Sequence, residues 1–379
     1  MQFDQGEHKV RPYRKELTLR PTKRSSPGRK IIIGVALIYP LLLLAVSFAT
    51  LFFPQREGPL ALAEVFAPYL FLPLVILLPL VFLRGALALR LALIACALVF
   101  VGRFLPIMSP STPQADPKAT QVQVMSWNLY KDSVPHDVLR QILSTKPADV
   151  VAFEEAEVEW LANDETIGKV YPYRMRYHLG AVRGLALLSA YPILDFMSVD
   201  TGAAARDELP YTWAVLDVGG GRRLLVVVAH PFSPERSDAS QRGCWLSVCY
   251  DTAQRDEQIA QIRAAVDPIL RPDETQAVSP ISTQLRPGDP LILVGDFNVT
   301  DREPAYQDLS AGLTDAFRRV GQGFGHTWQP SLPVLHQGLH LLRIDYMFSS
   351  PNVTPLAMWA DCTPRGSDHC STHGKFELK

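Results

Sequence analysis

Six short stretches of this 379-residue chain end in residue types that can do chemistry. "VMSWNLY" brings Asn128, "ADVVAFEEA" brings Glu154 and Glu155, and "LLVVVAHPF" brings His230. "LILVGDFN" brings Asp296 and Asn298, "RIDYMF" holds Asp345 inside an apolar run, and "GSDHC" brings Asp368 and His369. Each alone is ordinary turn or capping chemistry, since Gly, Asp and Asn are what turns require. Together they are a different matter. Carboxylates and an amide are hard oxygen ligands suited to Mg²⁺ or Mn²⁺. Two histidines supply donors for a phosphoryl oxygen, and an Asp beside a His fixes the tautomer and favours the charged ring.

In this order the motifs resemble the endonuclease/exonuclease/phosphatase superfamily, the deoxyribonuclease-like group. Its pattern runs W-N, Q-E, a strand ending in His, G-D-F-N, D-Y or D-H, and S-D-H. Here it reads Trp127-Asn128, Glu154-Glu155, His230, Gly295-Asp296-Phe297-Asn298, Asp345-Tyr346 and Ser367-Asp368-His369. "GLALLSAYPI" (184–193) and Arg255 with Gln258 match softer family features, and the resemblance covers residues 122–379. It implies that Glu155 is the principal metal ligand, with Asn128 and Asp368 near the metal. Asp296 would orient or deprotonate the attacking water, and Asn298 would help hold it. His369, paired with Asp345, and His230 would stabilise the transition state's charge.

Three departures from the pattern stand out. Glu154 replaces the usual Gln, adding a negative charge near the metal. Ser371 replaces a common Pro. Residues 231–250, with Cys244, Trp245 and Cys249, form a longer connection than the motif needs, either a rim loop that contacts substrate or a surface excursion.

The elements that must position these residues read as short β-branched runs bounded by turn residues, with helical stretches such as 252–270 between some of them. The pattern gives a mixed α/β (α+β) class in one domain over 121–379. The resemblance implies a four-layered sandwich of two packed β-sheets flanked by helices, with the site at one rim.

Upstream the composition changes. Residues 1–120 carry 14 Lys/Arg against 6 Asp/Glu, whereas 121–379 carry 23 against 32. Apolar runs at 31–53, 61–83 and 91–107 are each of a length to cross a hydrocarbon core of about 30 Å, so three transmembrane helices are expected. Pro68, Pro73 and Pro79 are expected to kink the second. Nine Lys/Arg in the tail 1–30 place the N-terminus in the cytoplasm, and three spans then place the rest outside it, behind a Pro-rich linker at 108–120. This describes an integral protein of a bacterial inner (plasma) membrane. The pairs Cys244/Cys249 and Cys362/Cys370 are compatible with disulfides in an oxidising compartment and equally with buried thiols.

The expected function is a membrane-anchored, Mg²⁺- or Mn²⁺-dependent phosphoesterase that directs water in line at a phosphoester. The substrate would be a lipid headgroup, a small phosphodiester or a nucleic acid. The balance of −9 over 121–379 disfavours a long polyanion, although Arg174, Arg176 and Arg183 cluster in sequence. An extracytoplasmic nuclease is the alternative, and a non-catalytic binding module on the same fold is the alternative of another class. Three helices whose only acid is Glu64 suit an anchor better than a transporter.

Overall fold

The computed structural model describes residues 26–105, 113–175, 184–197, 210–234, 250–271, 281–286, 288–330 and 338–379. The tail 1–25, residues 108–112 of the linker, Arg176, Arg183, Cys244, Trp245 and Cys249 lie outside them.

The chain begins with α1 (Pro27–Phe52), then α2 (Gly58–Val65), a 3₁₀ turn (Ala67–Phe71), α3 (Leu74–Leu77), a second 3₁₀ turn (Leu78–Phe82) and α4 (Leu87–Phe104). Two helices, α1 and α4, are long and apolar enough to cross a membrane, or three if α2 and 67–82 count as one bent span. The expected second span is altered rather than merely kinked. α2 is turned 86° from residues 67–82. Pro68 and Pro79 sit in the first turns of the two 3₁₀ segments, where a missing N–H costs nothing.

α1 and α4 run parallel. Cys96 Sγ meets the Pro40 carbonyl at 3.6 Å and Arg103 donates to the Ser47 carbonyl at 3.2 Å, seven residues on along both helices. The stretch between them runs the other way. Ala67 and Phe71 pack with Leu43 and Phe104, whereas Leu77, Leu80 and Leu83 pack with Ile33, Ala86 and Leu89. At 1.5–2.0 Å per residue, 67–82 covers roughly 24–32 Å, about the length of α4.

The rest is a sandwich of two mixed six-stranded sheets with helices. The strands and helices in chain order are β1 (Thr120–Asn128), α5 (His136–Ser144), β2 (Val150–Ala156), α6 (Val158–Asn163), α7 (Glu165–Val170), β3 (Tyr173–Arg174), β4 (Gly184–Ser189), β5 (Ile193–Phe196), β6 (Tyr211–Asp217) and β7 (Arg223–Ala229). α8 (Ala253–Leu270), β8 (Leu291–Asp296), α9 (Pro304–Ser310), β9 (Thr314–Asp315), α10 (Ala316–Val320), β10 (Asp345–Ser349), β11 (Val353–Asp361) and β12 (Ser371–Leu378) complete it. One sheet is ordered β11-β12-β1-β2-β4-β3 and the other β5-β6-β7-β8-β10-β9.

β7 shows how the layers form. Leu224, Val226 and Val228 enter the core shared with β1, β2 and α5, while Leu225, Val227 and Ala229 pack with Ile259, Ile262 and Val266 of α8. A strand buried on both faces must be apolar throughout, as "RLLVVVA" is. The parallel pairs β1/β2 and β7/β8 lie in different sheets, and each delivers two strand ends to the same rim.

α2 docks on that rim. Arg56 pairs with Asp256 of α8 at 2.6 Å and Asp308 of α9 at 2.9 Å. Arg302 donates to the carbonyls of Glu64 and Val65, capping the helix end with a cation. Val65 and Phe66 pack with Tyr250, Trp328, Leu342 and Ile344.

Candidate active site

Asn128, Glu155, His230 and Asp296 stand at or just beyond the ends of β1, β2, β7 and β8. Register across the sheets explains why they meet. Asn128 pairs with Glu154 across β1/β2, Ala229 with Gly295 across β7/β8, and Asp345 with Asp296 across β10/β8. Gly295 has φ +141°, and a Cβ there would lie 1.9 Å from the Ala229 carbonyl oxygen, so only glycine permits this approach.

The end of β2 is distorted in a useful way. A bulge lies between Phe153 and Ala156, and Glu155 takes φ +52°. A non-glycine residue there is strained and is held by its neighbours. The Asp132 amide donates to the Glu155 carbonyl at 3.0 Å, and the Lys131 amide donates to Glu155 Oε2 at 2.8 Å. Glu155 thus points at the rim with Oε1 turned to Asn128 Nδ2 at 3.3 Å and His230 Nε2 at 3.7 Å, and Glu154 points inward.

Asp296 is the hub. It accepts from Asn128 Nδ2 at 2.9 Å and from the Asn298 amide at 2.9 Å. The Nε2 atoms of His230 and His369 lie 3.5 and 3.6 Å from its Oδ2. His369 Nδ1 faces Asp345 at 3.0 Å, and Thr327 Oγ1 donates to the same carboxylate at 2.5 Å. The His369 loop is tied down by Trp127, whose indole donates to the His369 carbonyl at 3.0 Å, and by Ser367, which donates to the Asn128 carbonyl at 2.6 Å. Burial opposes a charged imidazole, yet Asp345 and Asp296 outweigh it and push His369 up to about 10. Asp296 is held below its usual range because His369 and His230 outweigh its own burial.

Glu154 is fully buried, accepts from Ser126 Oγ at 2.8 Å, and leaves Oε2 without a partner among the described residues. Burial drives its carboxyl up to about 8, which makes it a neutral acid at pH 7.

The remaining carboxylates are in excess. Among the described residues, Glu155, Asp296, Asp345 and Asp368 have two imidazoles, His230 and His369, as their ion-pair partners, and burial pushes Asp345 and Asp368 up, as it does where carboxyls lack a cation. Asp368 Oδ1 is buried with no hydrogen-bond partner among the described residues. A divalent cation bound by oxygen answers both features, so the residues fit Mg²⁺ or Mn²⁺. Asn128 turns Oδ1 to the Tyr130 amide and its NH₂ to Asp296 and Glu155, an orientation that aligns those carboxylates. A second group, Asp132, His136 and Glu157, is partly exposed, with His136 stacked on Trp160 at 3.9 Å.

A profile of the Endonuclease/Exonuclease/phosphatase family matches residues 125–369. The chain belongs to that family. No curated protein matches it. Among solved structures, an endonuclease/exonuclease/phosphatase family protein from Bacteroides thetaiotaomicron is 15% identical, with TM-score 0.49, over 69% of this chain and 99% of its own. A relative from Bacteroides vulgatus is 18% identical, with TM-score 0.48, over 69% and 100%. A mannosyl-6-phosphatase from Bacteroides thetaiotaomicron is 16% identical, with TM-score 0.47, over 67% and 99%.

Within this family member all eight predicted residues converge on one rim, although Asn298 spends its side chain on the Pro231 carbonyl at 3.0 Å. Arg255 and Gln258 brace the rim from behind. Arg255 donates to the Asn298 carbonyl and Glu303, and Gln258 accepts from the Phe232 amide. Arg174 donates to the carbonyls of Leu161 and Asp164, a structural use. Sequence reading missed Thr327 and Trp328, which hold Asp345 and Asp368, the latter at 3.2 Å. The available signal was "HTW" (326–328), polar and aromatic residues outside any periodic run.

Proposed function

We propose that this chain is a membrane-anchored, divalent-metal-dependent phosphoesterase with residues 121–379 as its catalytic domain outside the cytoplasm. The observation that carries this is the convergence of four carboxyl groups, Asp296 at their centre, on two imidazoles, an oxygen-rich set of the kind that holds a divalent cation. Glu155 and Asp368 would hold Mg²⁺ or Mn²⁺, with Asn128 aligning the ligand set. Bound there, the ion supplies Lewis-acid polarisation of the phosphoryl group. Asp296 orients the attacking water and takes its proton. His369, kept charged and oriented by Asp345, and His230 donate to the non-bridging oxygens as charge builds. Asn298 fixes the turn that aims Asp296.

Three features support the placement outside. The parallel α1 and α4, with 67–82 returning between them, amount to three crossings, and the basic tail favours a cytoplasmic N-terminus. Cys362 and Cys370 are joined as a disulfide, as an oxidising compartment permits.

The test is hydrolysis of bis(4-nitrophenyl) phosphate by the full chain in detergent. Activity is expected with Mg²⁺ or Mn²⁺, to vanish with chelator, and to fall at least about 100-fold in Glu155→Ala and His369→Ala. Parent-level activity in those variants would refute the assignment. A cytoplasm-only reporter fused after Lys379 should stay silent.

A further inference from the structure

We propose that the site acts on a phosphoester carried by a membrane lipid, taken directly from the bilayer surface on which α2 seats the catalytic rim. This rests on the phosphoesterase reading above and names the source of its substrate.

The geometry begins with α2. Residues 67–82 run back between two parallel apolar helices, and α2 is turned 86° from them. With those helices across a bilayer, α2 lies along its surface. Both ends of α2 are held by the catalytic rim. At its start Arg56 pairs with Asp256 and Asp308, and the Gly58 amide donates to the Tyr250 carbonyl at 2.7 Å. At its end Arg302 takes the last carbonyls, and one turn on Tyr69 Oη donates to the Leu341 carbonyl at 2.7 Å. Tyr250, Arg302 and Leu341 belong to the connections that follow β7, follow β8 and precede β10. These connections carry or adjoin His230, Asn298 and Asp345. The rim of the site is therefore the face turned to the bilayer.

That face carries exposed apolar side chains. Phe324 is 53% exposed and Leu339 is 49% exposed. The His326 ring stacks on Phe324 at 5.2 Å and lies 6.4 Å from the ring of Tyr69, and its Nδ1 faces the His340 carbonyl at 3.1 Å. His340 in turn lies against the Cys362–Cys370 pair, next to His369. Phe324 and Leu339 so stand as exposed apolar side chains in the loops between Tyr69, at the outer start of the second crossing, and the catalytic histidine, a short ledge for a lipid chain. Aromatic and aliphatic side chains at that depth gain by entering the headgroup–acyl boundary. A lipid chain resting on the ledge would leave its phosphate at the open side of the site, where Glu155 and His230 are each 24% exposed. In the reaction the water oxygen bonds to phosphorus, the bond to the leaving oxygen breaks, and that oxygen departs with a proton or as a stable anion.

The experiment places the full chain in phosphatidylcholine vesicles with Mg²⁺ and compares two esters of one chemistry. Hexadecyl 4-nitrophenyl phosphate resides in the bilayer and methyl 4-nitrophenyl phosphate in solution. Each releases nitrophenolate. At equal bulk concentration the lipid-borne ester is expected to turn over at least about tenfold faster, by confinement at the surface. Phe324→Ser with Leu339→Ser is expected to lower that ratio about fivefold while the methyl ester is hydrolysed as before. A ratio near one, or one the double variant leaves unchanged, overturns the inference and leaves the phosphoesterase reading standing. Hydrolysis of neither ester overturns that reading and the inference with it.

Discussion

Trp328 donates its indole N–H to Asp368 Oδ2 at 3.2 Å while its ring belongs to the apolar cluster of Val65 and Phe66. One side chain therefore touches both the docked α2 segment and a proposed metal ligand. Outer partners of this kind hold a ligand's orientation, and losing one typically weakens metal affinity about 10- to 100-fold. Trp328→Phe keeps an aromatic ring and removes the N–H. The expected result is a Mg²⁺ half-saturation raised about tenfold with the maximal rate largely retained. A metal titration of activity reads this directly, and an unshifted curve would show that the bond does not hold Asp368.

Glu154 and Glu155 are neighbours with opposite expected responses. Glu154 is a buried neutral acid on Ser126, so an amide of the same shape can replace it. Glu154→Gln should hydrolyse a phosphodiester within about twofold of the parent, since no charge is lost. Glu155→Gln removes a charged ligand from the exposed rim and should cost at least about 100-fold. Equal losses in the two variants would contradict this division. The substitution that looked like an added charge beside the metal thus adds none at neutral pH.

The site was legible in the sequence because its residues follow apolar runs whose register the sheets preserve. Asn128, Asp296 and His230 each sit at or just past the last apolar position of a strand, and strand ends share a rim. Less legible were the parts set by contact across long separations. Thr327 and Trp328 act through loops, 18 and 40 residues from the carboxylates they hold. β12 escaped notice because "STHGKFEL" mixes small and charged residues, although it fills the place beside β1 in the centre of its sheet. The apolar stretch 61–83 was visible as composition, but its 86° turn is tied down by Arg302 and Tyr69, whose partners lie more than 200 residues away.

Gly295 makes the approach of β7 to β8 possible, and with it the pairing of His230 with Asp296. Alanine there would place its Cβ against the Ala229 carbonyl in a φ region that alanine disfavours. The chain must then open the pair that aims both residues. Gly295→Ala is expected to lower stability by at least about 3 kcal/mol and to abolish activity. Thermal unfolding of the full chain in detergent measures the first effect. An unchanged midpoint would mean that the strands can separate at no cost.

Asp301 supplies the stability that acid should remove. It lies between Arg302, Arg318 and the buried Arg343, with contacts of 3.3, 3.2 and 3.0 Å. Its burial favours the neutral acid, but Arg343, Arg302 and Arg318 outweigh that and hold the carboxyl well below the ordinary 3.8. A carboxyl whose folded value is depressed binds its proton more readily in the unfolded chain. Its contribution is fully present above the unfolded value and fades as the pH falls through 3.8 towards the folded one. Asp301→Asn should therefore destabilise the protein by about 3 kcal/mol at pH 7, because among the described residues it leaves Asp315 as the one acidic partner of Arg343. The gap between parent and variant should narrow as the pH drops below about 4. Unfolding midpoints taken from pH 7 to pH 3 test this, and a gap that stays constant across the range would assign the acid sensitivity to other carboxylates.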